Sequence, residues 1–153
     1  MRSAEIHSHK DGVSVAEELG LADILAGVCE APSVVIQAGT TGAIREHVRG
    51  FLTKRGWPGE TAIKHGYDQK VFSLRPRVAF QVQTGNAARG STDLLKLQYL
   101  YTSERIDVAI LAVPTRLAAG RLGSNRASFE RVRAELTLFA RVLSIPLVLI
   151  GFE

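Results

Sequence analysis

RVAFQVQ (Arg77–Gln83) is the stretch on which the fold turns. In an extended strand successive side chains point to opposite faces, so Val78, Phe80 and Val82 form one apolar row. Arg77, Ala79, Gln81 and Gln83 form the other. Downstream the period changes. Thr92–Thr102 reads as a helix in which Asp93 and Lys96 share a face and Leu94, Leu97, Leu100 and Tyr101 offer apolar contacts. VAILAVP (Val108–Pro114) is almost wholly apolar, the composition of a central strand covered on both sides. Ala127–Leu143 is predicted helical, with Phe129, Val132, Leu136, Phe139 and Leu143 along one stripe. PLVLIGF (Pro146–Phe152) closes the chain as a further buried strand. Strands separated by helices in this way predict an α/β architecture, a central mixed β-sheet flanked by helices.

Upstream, residues from about Val13 to Glu30 follow helical spacing through Leu21, Ile24, Leu25 and Val28 until Pro32 stops the pattern. Ser33–Gln37 (SVVIQ) is a short β-rich run. Gly39–Gly42 then opens a second helix with a Thr as N-cap, and Ile44, Val48, Phe51 and Leu52 share its apolar face. Gly56, Pro58 and Gly59 end it. Thr61–Asp68 is a further candidate strand, placed to pair with Arg77–Gln83 if the two form a hairpin.

The totals bound the answer. At 153 residues, without repeats or linkers, one domain spanning 1–153 is expected. Hydrophobic residues make up 46% and charged residues 22%, which excludes a disordered or fibrous chain. A single cysteine, Cys29, rules out an internal disulfide framework and fits a reducing cytoplasm. No apolar run approaches the ~18–20 residues of a membrane span, and Met1–Lys10 is too polar for a signal peptide. The net charge of +4 is compatible with a nucleic-acid partner without demanding one. Arg45, Arg49, Lys54 and Arg55 on one helix, and Arg121, Arg126, Arg131 and Arg133 near another, read equally as solvated faces.

Chemistry enters with Asp68. If its strand pairs with Arg77–Gln83, Asp68 sits beside Gln81 and Gln83, which project together at i and i+2. An acidic residue followed by such a pair on the neighbouring strand is the layout of the nuclease superfamily written PD-(D/E)xK. Phosphodiester hydrolysis needs Mg²⁺ held by one or two carboxylates, with positions left for a water and the phosphate. As a bare pattern D…QxQ is weak, and the polar face of a half-buried strand is its ordinary explanation.

Longer segments carry a resemblance. RVAFQVQTGN (Arg77–Asn86) is similar to the active-site strand of the BglII-like type II restriction endonucleases. GTTGAIREHVRGFLTKRGW (Gly39–Trp57) resembles that family's Gly-Thr-led helix ending in Trp, and IDVAILAVPTR (Ile106–Arg116) its second core strand. GSNRASFERVRAEL (Gly123–Leu136) resembles its Ser-Asn loop and amphipathic helix, and IPLVLIGFE (Ile145–Glu153) its closing strand. The likeness runs in order from about residue 33.

That resemblance implies a restriction-endonuclease-like core, Mg²⁺ as cofactor, double-stranded DNA as partner and a homodimer that reads a short palindrome, one half-site per subunit. Asp68 matches the family's metal-binding Asp. Gln83 matches the second strand position, with the role of orienting the attacking water or polarising the phosphate. Gln81 matches the first strand position, where the family carries a metal-binding Glu, and here the sequence departs from the pattern. An amide brings no charge to a Mg²⁺ ion that prefers anionic oxygens. Three readings of Gln81 stand: an engineered isosteric change, a naturally inactive relative, or compensation by another carboxylate. Glu60 is the best substitute and Glu46 a distant second. Lys70 is an electrostatic candidate.

The resemblance also implies that Gly85, Asn86 and Arg89 lie near base edges, with Gly123, Ser124, Asn125 and Arg126 in a second reading loop. Asn pairs with adenine and Arg with guanine in the major groove. The same residues read structurally as turns, with Asn125 or Ser124 capping the following helix. Lys64, Arg77 and Lys96 are expected phosphate contacts. His7 and His9 lack a third ligand nearby and read as an exposed polar segment. Gly39–Gly42 lacks a P-loop lysine and is a helix start. Cys29 reads as a small buried residue. Two functions follow: a site-specific type II deoxyribonuclease, or a catalytically inactive DNA-binding module of nuclease ancestry. A small-molecule-binding α/β domain is disfavoured by the lack of a phosphate or dinucleotide loop.

Overall fold

The computed structural model describes residues 1–153 as an α/β sandwich around a five-stranded mixed sheet. The strands are β1 (Ser3–His9), β4 (Ser73–Arg75), β5 (Arg77–Val82), β6 (Ile106–Pro114) and β7 (Leu147–Phe152), in the order β1-β7-β6-β5-β4. The two inner pairings, β5 with β6 and β6 with β7, are parallel; the two outer pairings are antiparallel. A separate two-stranded ribbon joins β2 (Thr61–Ala62) to β3 (Lys70–Val71).

Parallel neighbours require crossovers, and the helices supply them. Helix α4 (Ala88–Thr102) links β5 to β6, while α5 (Arg116–Leu122) and α6 (Phe129–Leu138) link β6 to β7. Helices α1 (Gly12–Glu18), α2 (Ala22–Gly27) and α3 (Thr41–Thr53) precede the central strands. β6 explains its own position: in IDVAILAVP every residue except Asp107 is buried, so both faces must be covered. One face packs Val108, Ile110 and Ala112 with Phe80, Ile44, Val48 and Trp57. The other packs Ala109, Leu111 and Val113 with Leu97, Leu100, Phe129 and Leu136. Gly151 fits this second layer tightly, since a Cβ there would meet the Phe129 ring at 2.9 Å. No helix is long and apolar enough to cross a membrane.

Several sequence expectations are corrected. Thr61–Asp68 does not form the hairpin partner of β5. Only Thr61 and Ala62 are extended, and Gly66 adopts a left-handed φ of 82° that turns the chain away. The partner is β4, joined through Pro76 and Arg77, whose own φ of 71° makes the turn. Ser33–Gln37 is irregular rather than extended, although Ile36 is buried. The helix expected over Val13–Glu30 is two short helices, broken where Gly20 takes a φ of 71°. The helix expected to reach Leu143 stops at Leu138, leaving Leu138, Phe139 and Val142 exposed. Its cap is Ser128, whose hydroxyl accepts from Arg131 N, not Ser124 or Asn125.

β1 and α5 lie outside the sequence expectations. SAEIHSH does not look like a strand because its more buried positions, Ser3, His7 and His9, are polar while Ala4 and Ile6 are exposed, so no apolar alternation marks it. The His-x-His segment pairs with β7 as a strand; Ser8 is exposed as expected, but His9 is buried with Nε2 2.8 Å from Leu143 O.

Candidate active site

The site forms where β5 ends. Ladder pairing of β4 with β5 matches Ser73 to Phe80, which puts Phe72 opposite Gln81. There the ladder is continued by a side chain: Phe72 N–H donates to Gln81 Oε1 at 2.8 Å. A backbone N–H can only donate, so this bond fixes which end of the carboxamide is which. The Gln81 oxygen faces the backbone, and its NH₂ group is the end left for the cavity that Gln81 lines.

Gln83, two residues on, projects to the same side. Its Oε1 accepts from Gly85 N at 2.7 Å, and its Nε2 donates to Asp93 Oδ2. Gly85 is close to the amide: a Cβ there would stand 2.9 Å from Gln83 Oε1. Asp93, buried on α4, holds Lys96 Nζ at 2.6 Å through its other oxygen. Lys96 in turn donates to Lys70 O at 3.0 Å. The opposite rim comes from α3, where Arg45 bonds Glu60 at 2.8 Å and Val82 O at 3.3 Å and lies 4.9 Å above the Phe72 ring.

These side chains line one cavity of about 540 Å³, open on one side, together with Asp68, Lys70 and Arg89. The expected trio of Asp68, Gln81 and Gln83 therefore does converge, although Asp68 arrives from an exposed loop before β3 rather than from a paired strand. Gln81 and Gln83 are each 7% exposed, and the exposed part faces this polar cavity. Ala79 lies on their face, as expected, and is sealed in the second core layer beneath α4. Glu60 also lines the cavity but is neutralised by Arg45. Glu46 is paired with Arg49. Lys96 and Arg89 line the cavity, whereas Lys64 borders a different one beside Tyr67 and Arg77 pairs with Asp107 at the opposite end of β5.

Asn86, Ser124, Asn125 and Arg126 stand next to this cavity, not in it. The loop after β5 and the loop before α6 are tied by an isolated antiparallel bridge between Asn86 and Arg126. Ala87 N–H donates to Asn125 O at 2.9 Å and Ala127 N–H to Gly85 O at 3.0 Å. Arg126 adds a bond to Thr84 O at 3.2 Å. Asn125 adopts a φ of 52°, a conformation Asn tolerates better than most residues. Asn86, Arg89, Ser124 and Asn125 are exposed.

Sequence reasoning missed Asp93 and Arg45 as members of the site. The trace of Asp93 was present: it falls at i relative to Leu97 and Leu100 at i+4 and i+7, an acid on the buried stripe of a helix. Arg45 left no trace beyond its charge. Cys29 is remote and inert: burial pushes its thiol pKa up to about 12.

Comparison with known proteins places the whole architecture. The family described as "Restriction endonuclease BglII/BglIII" matches residues 4–152. Among solved structures, restriction endonuclease BglII complexed with a DNA 16-mer superposes with a TM-score of 0.79 at 13% identity, covering 99% of this chain and 76% of that one. Free BglII superposes with a TM-score of 0.70 at 15% identity, covering 100% of this chain and 80% of that one. No curated protein matches the sequence.

Proposed function

Because the chain belongs to the restriction endonuclease BglII/BglIII family, a family of hydrolases, we propose that it is a homodimeric, Mg²⁺-dependent, site-specific endonuclease of double-stranded DNA. The observation that carries this reading is the convergence of Asp68, from the loop before β3, with Gln81 and Gln83 on one cavity at the end of β5.

The donor set fits a hard divalent cation only in part. Asp68 brings a carboxylate free of any ion pair, but Gln81 brings no charge and its oxygen is committed to Phe72 N–H. Asp93 is the further carboxylate on the cavity wall not held by an arginine. Asp68 and Asp93 would hold Mg²⁺, which prefers such anionic oxygens and keeps several of its waters. When bound, the ion lowers the pKa of a water and offsets charge on the phosphate. The protein's own groups position the substrate. The Gln81 NH₂ group is a donor for a phosphate oxygen or a water, and Lys96 and Arg89 are cations for the backbone. Gln83 holds Asp93 on one side and the Gly85 turn on the other.

DNA recognition follows from the two joined loops. Asn86, Arg89, Ser124, Asn125 and Arg126 would face base edges in the major groove, with Lys64 on phosphate. A duplex partner is consistent with the BglII complex that this fold matches. Leu95, Phe139 and Val142 border an apolar groove of about 390 Å³ and are 62%, 46% and 64% exposed. An exposed apolar patch of this kind suits a second copy of the chain. A cytoplasmic site of action, bacterial or archaeal, accords with this role.

A second reading, a DNA-binding module that no longer cuts, is favoured by the neutral Gln81 alone. Plasmid cleavage with Mg²⁺ or Mn²⁺, by this chain and by Gln81→Glu, separates them. Cutting at defined sites by the parent supports the enzyme. Cutting by Gln81→Glu alone identifies Gln81 as the inactivating residue. Binding without cutting by either supports the module.

A further inference from the structure

We propose that Asp93 and Lys96, one turn apart on α4, take over at this site: Asp93 as the anionic oxygen donor to the divalent cation that position 81 lacks, and Lys96 as the cation facing phosphate. The proposal rests on the endonuclease reading and assigns its missing charge to a different element from the one that usually carries it.

Burial is the first reason. Asp93 is 2% exposed on the stripe that packs Leu97 and Leu100 into the core, a position where an apolar side chain satisfies the fold. Burying a carboxylate there is costly, and replacing a buried ion pair by apolar residues is often neutral or stabilising. Stability alone does not account for the pair.

Direction is the second reason. Asp93 meets Gln83, so its carboxylate points to the face of β5 that carries Gln81. Both of its oxygens are held by side chains, Lys96 and Gln83, and neither by backbone. Side-chain partners can swing aside for a cation; a backbone N–H cannot. Glu60 lines the same cavity but differs in exposure and in its partner. Its partner Arg45 is itself fixed by Val82 O and by the Phe72 ring, and it stands on the rim.

Valence is the third. A lysine ammonium has three donors, and Lys96 uses two, on Asp93 and on Lys70 O. The third remains for an acceptor entering the cavity. Gln81, 7% exposed, adds an NH₂ group with no protein acceptor. The pair thus behaves as a loaded site: in the free protein the ammonium sits on the carboxylate, and a divalent cation must compete with it.

That competition is the test. Mn²⁺ binding to the full chain is measured by calorimetry and by electron paramagnetic resonance, for the parent, Asp93→Asn, Lys96→Met and Glu60→Gln. Thermal melts confirm folding. Asp93→Asn is expected to weaken Mn²⁺ binding by at least about tenfold. Lys96→Met is expected to tighten it several-fold while weakening duplex DNA binding, because the competing ammonium is gone. Glu60→Gln leaves it unchanged. A purely structural ion pair would instead lower the melting temperature in both α4 variants without tightening Mn²⁺ binding in Lys96→Met. That outcome overturns the proposal, as does a parent that binds no Mn²⁺. If the parent also shows no salt-dependent binding to duplex DNA, the endonuclease reading falls with it; if duplex binding persists, only the role of Asp93 and Lys96 falls.

Discussion

Phe72 N–H donates to the carboxamide oxygen of Gln81 at 2.8 Å, so a side chain supplies the next rung of the β4–β5 ladder. Position 81 therefore has a structural duty independent of chemistry. Gln81→Leu removes the acceptor and leaves a buried donor unpaired, at a cost of about 1–3 kcal/mol. Gln81→Glu keeps an acceptor for Phe72 and should fold as well as the parent. Chemical denaturation of the three forms measures the difference.

Asp68 is predicted to matter for chemistry and not for stability. It is exposed and makes no ion pair, so Asp68→Asn should unfold within about 0.5 kcal/mol of the parent. Loss of a cation ligand removes several kcal/mol of transition-state stabilisation. Cleavage by the most active form should fall by more than about a hundredfold.

The loop residues should separate positioning from reading. Asn86→Ala and Asn125→Ala are each expected to cost about 1–3 kcal/mol of discrimination and to relax specificity at one base pair. Lys64→Ala should weaken binding to all duplexes alike and reduce the salt slope by about one. Competition binding against single-base variants of the site, at several salt concentrations, reads both.

The apolar groove at the end of α6 predicts the assembly. Phe139→Glu places a charge among Leu95, Val142 and Leu143 and should yield a monomer by light scattering. Cleavage should turn from double-strand cuts toward nicks, since each subunit addresses one strand.

Cys29 provides a control for integrity. With its thiol pKa raised to about 12 by burial, alkylation by iodoacetamide at pH 8 should be negligible in the folded protein and rapid in urea. Fast labelling of the native form would contradict the packing around α2.

How much of this was legible beforehand divides along physical lines. β6 and β7 announce themselves because two covered faces force unbroken apolar runs. The faces of β5 were legible through period two, and with them the convergence of Gln81 and Gln83. The partner strand was not. Ser73–Arg75 is three residues long, and its register depends on a left-handed Arg77 after Pro76, which no periodicity encodes. β1 was hidden because its strand bonds come from backbone contact with β7, more than 130 residues distant. Asp93 was visible as a residue but not as a site member, since its partner Gln83 is reached only once α4 is docked on the sheet.

The seam between Asn86 and Arg126 gives the two loops proposed to read DNA a common mechanical fate. Gly85 belongs to that seam through Ala127 and also donates to Gln83, so on the proposed reading sequence inspection and bond scission would share one continuous piece of backbone. On that reading a mismatched base pair that pushes the seam by an ångström would shift the groups around Gln83 by a similar amount, and misplacement on that scale costs about a hundredfold in rate. In an endonuclease built this way errors would be penalised twice, first as forfeited contacts and again as spoiled alignment, which would sharpen fidelity beyond what contact energy alone provides.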